Sequence, residues 1–395
     1  MSNDELRVPP LSELFTHHSE KWRGFPQDVI PLPVAEMDFP VAAPIRELLQ
    51  TMVAQSDLGY LGAIPELGTS FAGFAERHWS WSVDPLKVRA ATDVGVGVVE
   101  LLRVFTVPGD RILINSPVYQ NFYNWIKETK VVGFDVPFIH HESEAQIGTS
   151  PSDSWQIDWP AVESAYRSGI KVHLLCNPHN PIGRVFSEDE LNRLVALAVE
   201  NNVIIISDEI HAPLEYKESP FTPVLALGHD AEKVAVVVTA ASKGWNIAGL
   251  KCAIIISGSD EMHERLNALP YSLHFRASLL GAFATATAFE KCEPWLDAVI
   301  TQLDHNRQLI AGLLGELLPN VKYVIPQHSY LAWLDFSGHK LGPEPATKIL
   351  EKAKVALNPG HTYGAQWDQF ARLNFATSPE IITDALTRIA RGLDG

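Results

Sequence analysis

The stretch KVAVVVTAASKG, residues 233–244, decides the fold of this chain. An uninterrupted apolar run ends in small residues and then in a lysine, Lys243, which has no charged neighbour for several residues on either side. A run that is apolar on both faces is typical of a strand in a parallel sheet covered on both sides. Lys243 is then either an ordinary loop lysine or an amine held where its charge is suppressed.

Similar apolar runs recur before and after this stretch, and helical patterns separate several of them. The clearest helical pattern is SEDELNRLVALAVEN, residues 187–201, where Ser187 and Glu190 predict a capping box. Alternation of this kind predicts an α/β fold with a mainly parallel sheet between helices. The other runs are DRILINSP (110–117), VVGFDVPF (131–138), IKVHLLCNP (170–178), NVIIISDE (202–209) and CAIIISGS (252–259).

The two ends of the chain have a different character. The first residues are rich in proline, which predicts an extended arm without regular elements. After about residue 285, a long amphipathic helix precedes mixed strands and helices, which predicts a smaller α+β domain. We therefore expect an arm that joins the small domain at 1–48, a large domain at 49–285 and the small domain at 286–395.

Composition limits the function classes. The 395 residues carry a formal charge of −16, which argues against a general nucleic-acid surface or an anionic membrane partner. The three cysteines are too scattered for a disulfide framework or a zinc site. No signal peptide and no apolar stretch of about 18 residues is evident. We expect a soluble cytoplasmic protein without a metal centre.

Polar motifs follow the predicted strands, at the edge where parallel sheets place their chemistry. The motifs NSPVY (115–119), CNPHNPIGRVFSEDEL (176–191), SDEIHAPLEY (207–216) and SKGWNIAGLK (242–251) resemble, in this order, the class I/II aminotransferase superfamily of pyridoxal 5′-phosphate (PLP) enzymes. Further motifs make the chain similar to the bacterial cystathionine β-lyase branch: VAEMDFP (34–40), the histidines of CNPHNP and DEIH, and YLAWLDF…NPGHTYG…ARLNFATS near the end. The resemblance covers nearly the whole chain and implies PLP fold type I with a seven-stranded sheet.

The resemblance assigns roles around the coenzyme ring. Lys243 matches the amine that binds the PLP aldehyde, and small apolar neighbours favour its neutral form. Asp208 matches the carboxylate that keeps the ring nitrogen protonated. Asn177 fits as a donor to the phenolic oxygen, His211 is expected near the ring, and Tyr119 is expected to stack on it.

The phosphate needs amide donors at a helix start and a cation. The turn in TDVGVGVVELLRVF, residues 92–105, offers the amides of Val94, Gly95 and Val96. Ser242 and Lys251 would add a hydroxyl and a charge. Tyr60 resembles the tyrosine that reaches the phosphate from a second subunit, which implies a homodimer with shared active sites.

An amino-acid substrate needs a clamp for its carboxylate, and a bidentate arginine serves best. Arg372 in ARLNFATS matches this residue, together with the backbone near Ala35; the alternative is a surface salt bridge. His140 and His141 are expected in a solvated loop rather than at a metal, and the following ESE (142–144) at a solvated face. Tyr330 is expected to pack rather than to react.

Five residues at four places depart from the branch's pattern: Asp93 where glycine is usual, Pro213 for aspartate, Gly244–Trp245 after the lysine, and Glu36 for aspartate. They are expected to cluster around the pocket, which points to a specialised S-cysteinyl conjugate. An anion at position 93 is compatible with a phosphate cup only if it caps the helix.

The resemblance implies α,β-elimination from a cysteine S-conjugate to thiol, pyruvate and ammonia. The residues themselves imply only removal of the Cα proton. Transamination and decarboxylating oxidative deamination stay open, as does a regulatory protein that keeps the fold.

Overall fold

The computed structural model describes residues 6–141, 149–339 and 341–393. The strands are β1 (Ile30–Pro31), β2 (Val88–Ala91), β3 (Arg111–Ile114), β4 (Val132–Asp135), β5 (Ile139–His140), β6 (Trp155–Gln156), β7 (Val172–Cys176), β8 (Ile204–Asp208), β9 (Ala235–Thr239), β10 (Ala253–Ser257), β11 (Lys322–Tyr323), β12 (Leu331–Asp335), β13 (Val355–Ala356), β14 (Asn358–Pro359) and β15 (Phe370–Asn374).

The helices are α1 (Leu11–Leu14), α2 (Glu20–Arg23), α3 (Ala43–Ala54), α4 (Pro65–Trp79), α5 (Val94–Phe105), α6 (Asn121–Thr129), α7 (Pro151–Ser154), α8 (Trp159–Arg167), α9 (Glu188–Asn201), α10 (His229–Val234), α11 (Ala241–Gly244), α12 (Asp260–Arg265), α13 (Ser272–Phe275), α14 (Leu279–Lys291), α15 (Glu293–Leu317), α16 (Pro345–Ala353) and α17 (Pro379–Leu393).

The main sheet has seven strands in the order β2-β10-β9-β8-β7-β3-β4. The five strands from β9 to β4 run parallel, and β10 runs antiparallel to both of its neighbours. The prediction of a mainly parallel, seven-stranded sheet between helices is confirmed.

Alternate residues of the central strands face two different hydrophobic cores. In β9, Val237 lies in one core, whereas Val236 and Val238 lie in the other. Successive side chains of a strand point to opposite faces, so a strand covered on both sides must be apolar throughout. This explains the unbroken run from which the fold was deduced.

The helix predicted at 187–201 forms as α9, and its capping box is present. The Ser187 hydroxyl accepts from the Glu190 amide at 3.2 Å, and the Glu190 carboxylate accepts from the Ser187 amide at 2.9 Å. The predicted apolar face, which includes Leu191 and Leu194, is buried.

The C-terminal part contains a second sheet, antiparallel, in the order β11-β12-β15-β14. The arm joins this C-terminal part, because β1 pairs in parallel with β13 in a separate two-stranded sheet. The expectation that prolines deny the arm regular elements was wrong: single helical turns, α1 and α2, form there, α1 directly after Pro10. The domain boundaries at 48/49 and 285/286 stay predictions.

The carboxyl ends of the parallel strands meet at one edge of the main sheet. Cys176 ends β7 beside Asp208, which ends β8, and Val238 of β9 lies next to Asp208. Motifs far apart in sequence therefore share this edge. Within the described ranges, no helix has the length and apolarity required to cross a bilayer.

Candidate active site

A cavity of about 740 Å³ opens at this edge of the sheet. The arm, the start of α5, the ends of β7 and β8, α11 and the small sheet contribute to its walls. Most of the site residues predicted from sequence line it: Ala35, Val94, Gly95, Tyr119, Asp208, His211, Ser242, Lys243, Lys251 and Arg372. Asn177, Val96 and Tyr60 are not among the lining residues.

Lys243 lies in α11, one turn of helix beyond β9, and its side chain is half-buried in the cavity wall. Its Nζ donates a hydrogen bond to the carbonyl oxygen of Ala35 at 2.6 Å. Burial and the nearby Arg372 cation lower the pKa of Lys243 to about 8, against the opposing effect of two carboxylates. Roughly a fifth of this amine is therefore neutral near pH 7.4, far more than for a lysine of ordinary pKa.

The lowered pKa can be measured by chemical labelling of the coenzyme-free chain. Only the neutral amine reacts with an acylating reagent, so we expect the labelling rate of Lys243 to rise about tenfold per pH unit and to level off above about pH 8. Peptide mass spectrometry measures the rate, with exposed Lys352 as the reference. In Arg372→Leu the midpoint should move to higher pH, because a cation that lowers the pKa is gone. A rate still rising steeply through pH 9 in the unaltered chain would contradict this account.

Asp208 is buried at the end of β8. Its Oδ1 accepts from the amide of Ile210 at 3.2 Å. Burial raises the pKa of Asp208 to about 7, and the Lys243 cation only partly offsets this effect. A buried carboxylate with a raised pKa is stabilised by a ligand group that donates a proton to it or carries a positive charge.

Asn177 follows β7 and is completely buried beside Asp208, whose carbonyl accepts its backbone N–H at 3.0 Å. Its side-chain Oδ1 accepts from Phe186 N at 3.2 Å. Its Nδ2 has no hydrogen-bond partner among the described residues. A buried donor without an acceptor is costly, so this amide is open to an acceptor that the described residues do not supply.

Tyr119 and His211 line the cavity near Asp208. The half-buried Tyr119 accepts a hydrogen bond at its hydroxyl from Asn121 Nδ2 at 2.7 Å, and burial raises its pKa. His211 is buried, its Nδ1 lies 2.8 Å from the hydroxyl of Ser329, and burial lowers its pKa well below the usual value. His211 is therefore a neutral imidazole that can donate or accept a hydrogen bond.

Arg372 is buried in the middle of β15. Its Nη1 donates to Asn180 Oδ1 at 2.9 Å, and its Nη2 donates to the carbonyl of Pro33 at 2.7 Å. No carboxylate pairs with it within the described ranges, and its Nε has no acceptor there. The alternative of a surface salt bridge was therefore wrong. A buried cation without an anion is costly, which favours an anionic ligand.

The phosphate end of the cavity differs from the prediction at Val96. The amide of Val96 donates to Oδ1 of Asp93 at 2.8 Å, because Asp93 is the N-cap of α5. The Val96 amide thus already has an acceptor, so Val96 is removed from the predicted phosphate donors. Val94 and Gly95 come first in α5, where the helix offers backbone amides no carbonyl partner.

The family assignment follows from comparison with known proteins. Residues 27–389 match the model of the family described as "Aminotransferase class I and II". The chain belongs to this aminotransferase family. It is 36% identical to the cystathionine beta-lyase of Corynebacterium glutamicum, over 98% of this chain and 99% of that protein. It is 32% identical to the cystathionine beta-lyase PatB of Bacillus subtilis, over 93% of each.

Among solved structures, cystalysin from Treponema denticola, whose crystal structure contains PLP, superposes with a TM-score of 0.91 at 25% identity. The match covers 100% of this chain and 99% of that one. The full-length correspondence agrees with the architecture described above.

The residues present fit the coenzyme that the aminotransferase resemblance implies. The unpartnered Asn177 amide and the Asp208 carboxylate of raised pKa match the phenolic oxygen and the protonated nitrogen of a pyridine ring. The free amides of Val94 and Gly95, with Ser242 and Lys251, suit a phosphate.

Two aminotransferase-site contacts escaped the sequence analysis. Tyr330, expected only to pack, is buried and also donates its hydroxyl to the Ala35 carbonyl at 3.1 Å, the same oxygen that accepts from Lys243. Asn180, the second asparagine of CNPHNP, orients Arg372. The position of Asn180 within CNPHNP could have indicated a role at the site. No short-range sequence pattern predicts that Tyr330 contacts Ala35.

Of the departures from the family pattern, only Asp93 lines the cavity. Trp245 is fully buried and donates its indole N–H to the Cys292 carbonyl at 3.0 Å. Pro213 packs near Gly244, and Glu36 accepts from the Ser19 hydroxyl at 2.6 Å. Only Asp93 of these positions thus lies in the cavity wall itself, although the Glu36 carboxylate is close enough to raise the pKa of Lys243.

The paired histidines lie away from the cavity. His140 belongs to β5 and stacks on the ring of Trp155 at 4.1 Å, so the expected solvated loop was wrong there. Among the described residues, no group of His, Cys, Asp and Glu is arranged to hold a metal. The ESE segment at 142–144 lies outside the described residues.

Proposed function

We propose that this chain is a PLP-dependent carbon–sulfur β-lyase. Its net reaction takes a cysteine S-conjugate and water to a thiol, pyruvate and ammonia. The observation that carries the proposal is a lysine of lowered pKa and a buried arginine that no carboxylate of the described residues pairs with, both in the wall of one cavity. Full-length similarity to the cystathionine beta-lyases of Corynebacterium glutamicum and Bacillus subtilis supports the elimination outcome.

The residues divide the work of this reaction. Arg372 binds the substrate carboxylate through its guanidinium, which Asn180 and Pro33 hold in place. Lys243, as a neutral amine, takes the proton from Cα, and the Ala35 carbonyl, which also accepts from Tyr330, holds that amine in place. Asp208 would keep a proton on the ring nitrogen of the bound coenzyme, and Asn177 would donate to its phenolic oxygen. The coenzyme, when bound, supplies the electron sink that makes the Cα proton acidic.

The sulfur-bearing substituent leaves as a thiolate because it is attached to Cβ, the carbon next to the Cα that loses its proton. The nature of this substituent is open. With three of four departures outside the cavity wall, the case for a specialised conjugate rests on Asp93 alone, which lies at the phosphate end.

A panel of cysteine S-conjugates tests the proposal in the purified chain supplied with PLP. We expect thiol and pyruvate in equal amounts, without carbon dioxide and without amino-group transfer to an added keto acid. Transfer would indicate an aminotransferase instead. An aldehyde with carbon dioxide would indicate decarboxylating oxidative deamination.

The proposal includes a homodimer of two copies of this chain, in which each copy contributes Tyr60 to the active site of the other. Tyr60 is 93% exposed and Tyr271 is 81% exposed, an unusual degree for such side chains. Their loops are joined by the His274 ring and the Gly62 carbonyl, 2.9 Å apart. This patch suits a second copy of the chain that covers it. The Tyr60 hydroxyl would then contact the coenzyme phosphate bound in that second copy.

Tyr60→Phe should weaken PLP binding about tenfold, because one hydrogen bond to a charged group is lost. Equilibrium titration followed by coenzyme absorbance measures the dissociation constant. Tyr271→Phe, which alters another highly exposed tyrosine with no role at the phosphate, should leave this constant unchanged. Equal constants for Tyr60→Phe and the unaltered chain, or a monomer by sedimentation equilibrium, would contradict the shared site.

A further inference from the structure

Asp93 binds two groups at the phosphate end of the cavity, an amide and an ammonium group, that could otherwise bind an anion. Its Oδ1 accepts from the Val96 amide at 2.8 Å at the start of α5. Its Oδ2 pairs with Lys251 Nζ at 3.1 Å. A helix N-terminus combined with an ammonium group is a typical anion site, and here the chain's own carboxylate already occupies part of it.

The charges that line the cavity leave little to balance a second anion at this end. Three cations line it: Lys243 and Arg372 are associated with the arm segment 33–35, and Lys251 is paired with Asp93. A phosphate ester carries a charge of about −1.5 to −2 near neutral pH. It would share Lys251 with the Asp93 carboxylate and would face that carboxylate as a like charge.

The ion pair between Asp93 and Lys251 can be replaced by a contact between Lys251 and another anion. The side chains of Asp93 and Lys251 are 39% and 56% exposed, so solvent screens their attraction. Lys251 can therefore turn to a phosphate at modest cost. Asp93, in contrast, is kept at the site by its bond to the Val96 amide.

We propose that Asp93 is an internal competitor of the coenzyme phosphate. The chain then holds PLP less tightly than the same cup with a neutral helix cap would. It also distinguishes PLP from unphosphorylated pyridoxal by a smaller margin. This inference rests on the proposed function, since it takes PLP as the coenzyme.

Asp93→Ser tests the inference, because serine caps helices as well as aspartate does and carries no charge. We expect the dissociation constant of the full chain for PLP to fall about tenfold, as expected when a like charge is removed from beside a phosphate. The constant for pyridoxal should change less than twofold. Because salt screens exposed charges, the gain for PLP should shrink at high ionic strength.

Asp158 provides a matched control. It is the N-cap of α8, its Oδ1 accepts from the Ala161 amide at 3.0 Å, and it does not line the cavity. Asp158→Ser should leave both dissociation constants unchanged. Asp93→Asn, which also keeps a neutral cap, repeats the comparison if the serine variant does not fold.

The outcomes separate this inference from the proposed function. Unchanged or weaker PLP binding by Asp93→Ser, with pyridoxal binding intact, would overturn it and make Asp93 an orienting residue for Lys251. Absence of PLP binding by both the unaltered chain and the variant would overturn the proposed function itself.

Discussion

Replacing Lys243 by alanine lowers kcat/KM for elimination by about 10⁴-fold or more, the loss expected when a general base that also binds the coenzyme is removed. The reason is geometric as well as chemical. The amine of Lys243, at 2.6 Å from the Ala35 carbonyl, has a pKa of about 8. Thiol release and pyruvate formation measure the rate. Mass spectrometry after borohydride reduction measures covalent coenzyme in parallel.

The control is Lys217→Ala, an exposed lysine that does not line the cavity, for which we expect unchanged turnover and coenzyme content. Retention of more than a few per cent of activity by Lys243→Ala would refute its assignment as base. A biological activity that survives in this variant without turnover would favour a regulatory protein.

Replacing Arg372 has the second largest expected effect. Arg372→Leu removes the buried cation that Asn180 and Pro33 orient toward the cavity, so we expect kcat/KM to fall about 10³-fold. Arg372→Lys keeps a charge but loses the planar fork, and we expect a loss of about 10²-fold, mainly as a higher KM.

A substrate without the carboxylate, an S-conjugate of cysteamine, serves as the internal reference. The unaltered chain should strongly prefer the cysteine conjugate, and Arg372→Leu should lose most of this preference. Thermal unfolding should show only a small change of stability in Arg372→Leu, because relief of a buried charge without an anion offsets the loss of its two hydrogen bonds to Asn180 and Pro33. A preserved preference for the carboxylate would show that another group binds it.

Much of the fold was predictable because its signals are local. Buried parallel strands need apolar residues on both faces, and the run at Val236–Val238 meets this need within a few positions. The capping box of α9 spans only residues 187 to 190. The two helical turns of the arm were not predicted because single turns of helix are set by packing and leave little trace in composition.

The candidate site was predictable to the extent that its residues directly follow strands. Asp208 and Lys243 come together because β8 and β9 are parallel neighbours in the sheet. Val96 was misassigned because a cap by Asp93 and a free phosphate donor give the same sequence pattern. Trp245 and Pro213 were misjudged because nearness in sequence to Lys243 or Asp208 does not decide which way a side chain points.

The sequence by itself determined the layered α/β architecture, the order of the strand-end motifs and the residue types that meet at the sheet edge. These properties depend on periodicity and on short-range hydrogen bonding. Only the tertiary structure decided that Asp93 takes the Val96 amide and Lys251, and that Tyr330 shares the Ala35 carbonyl with Lys243. The partners in the long-range contacts lie more than 150 positions apart, and hydrogen bonds at about 3 Å depend on how the packed elements bring them together.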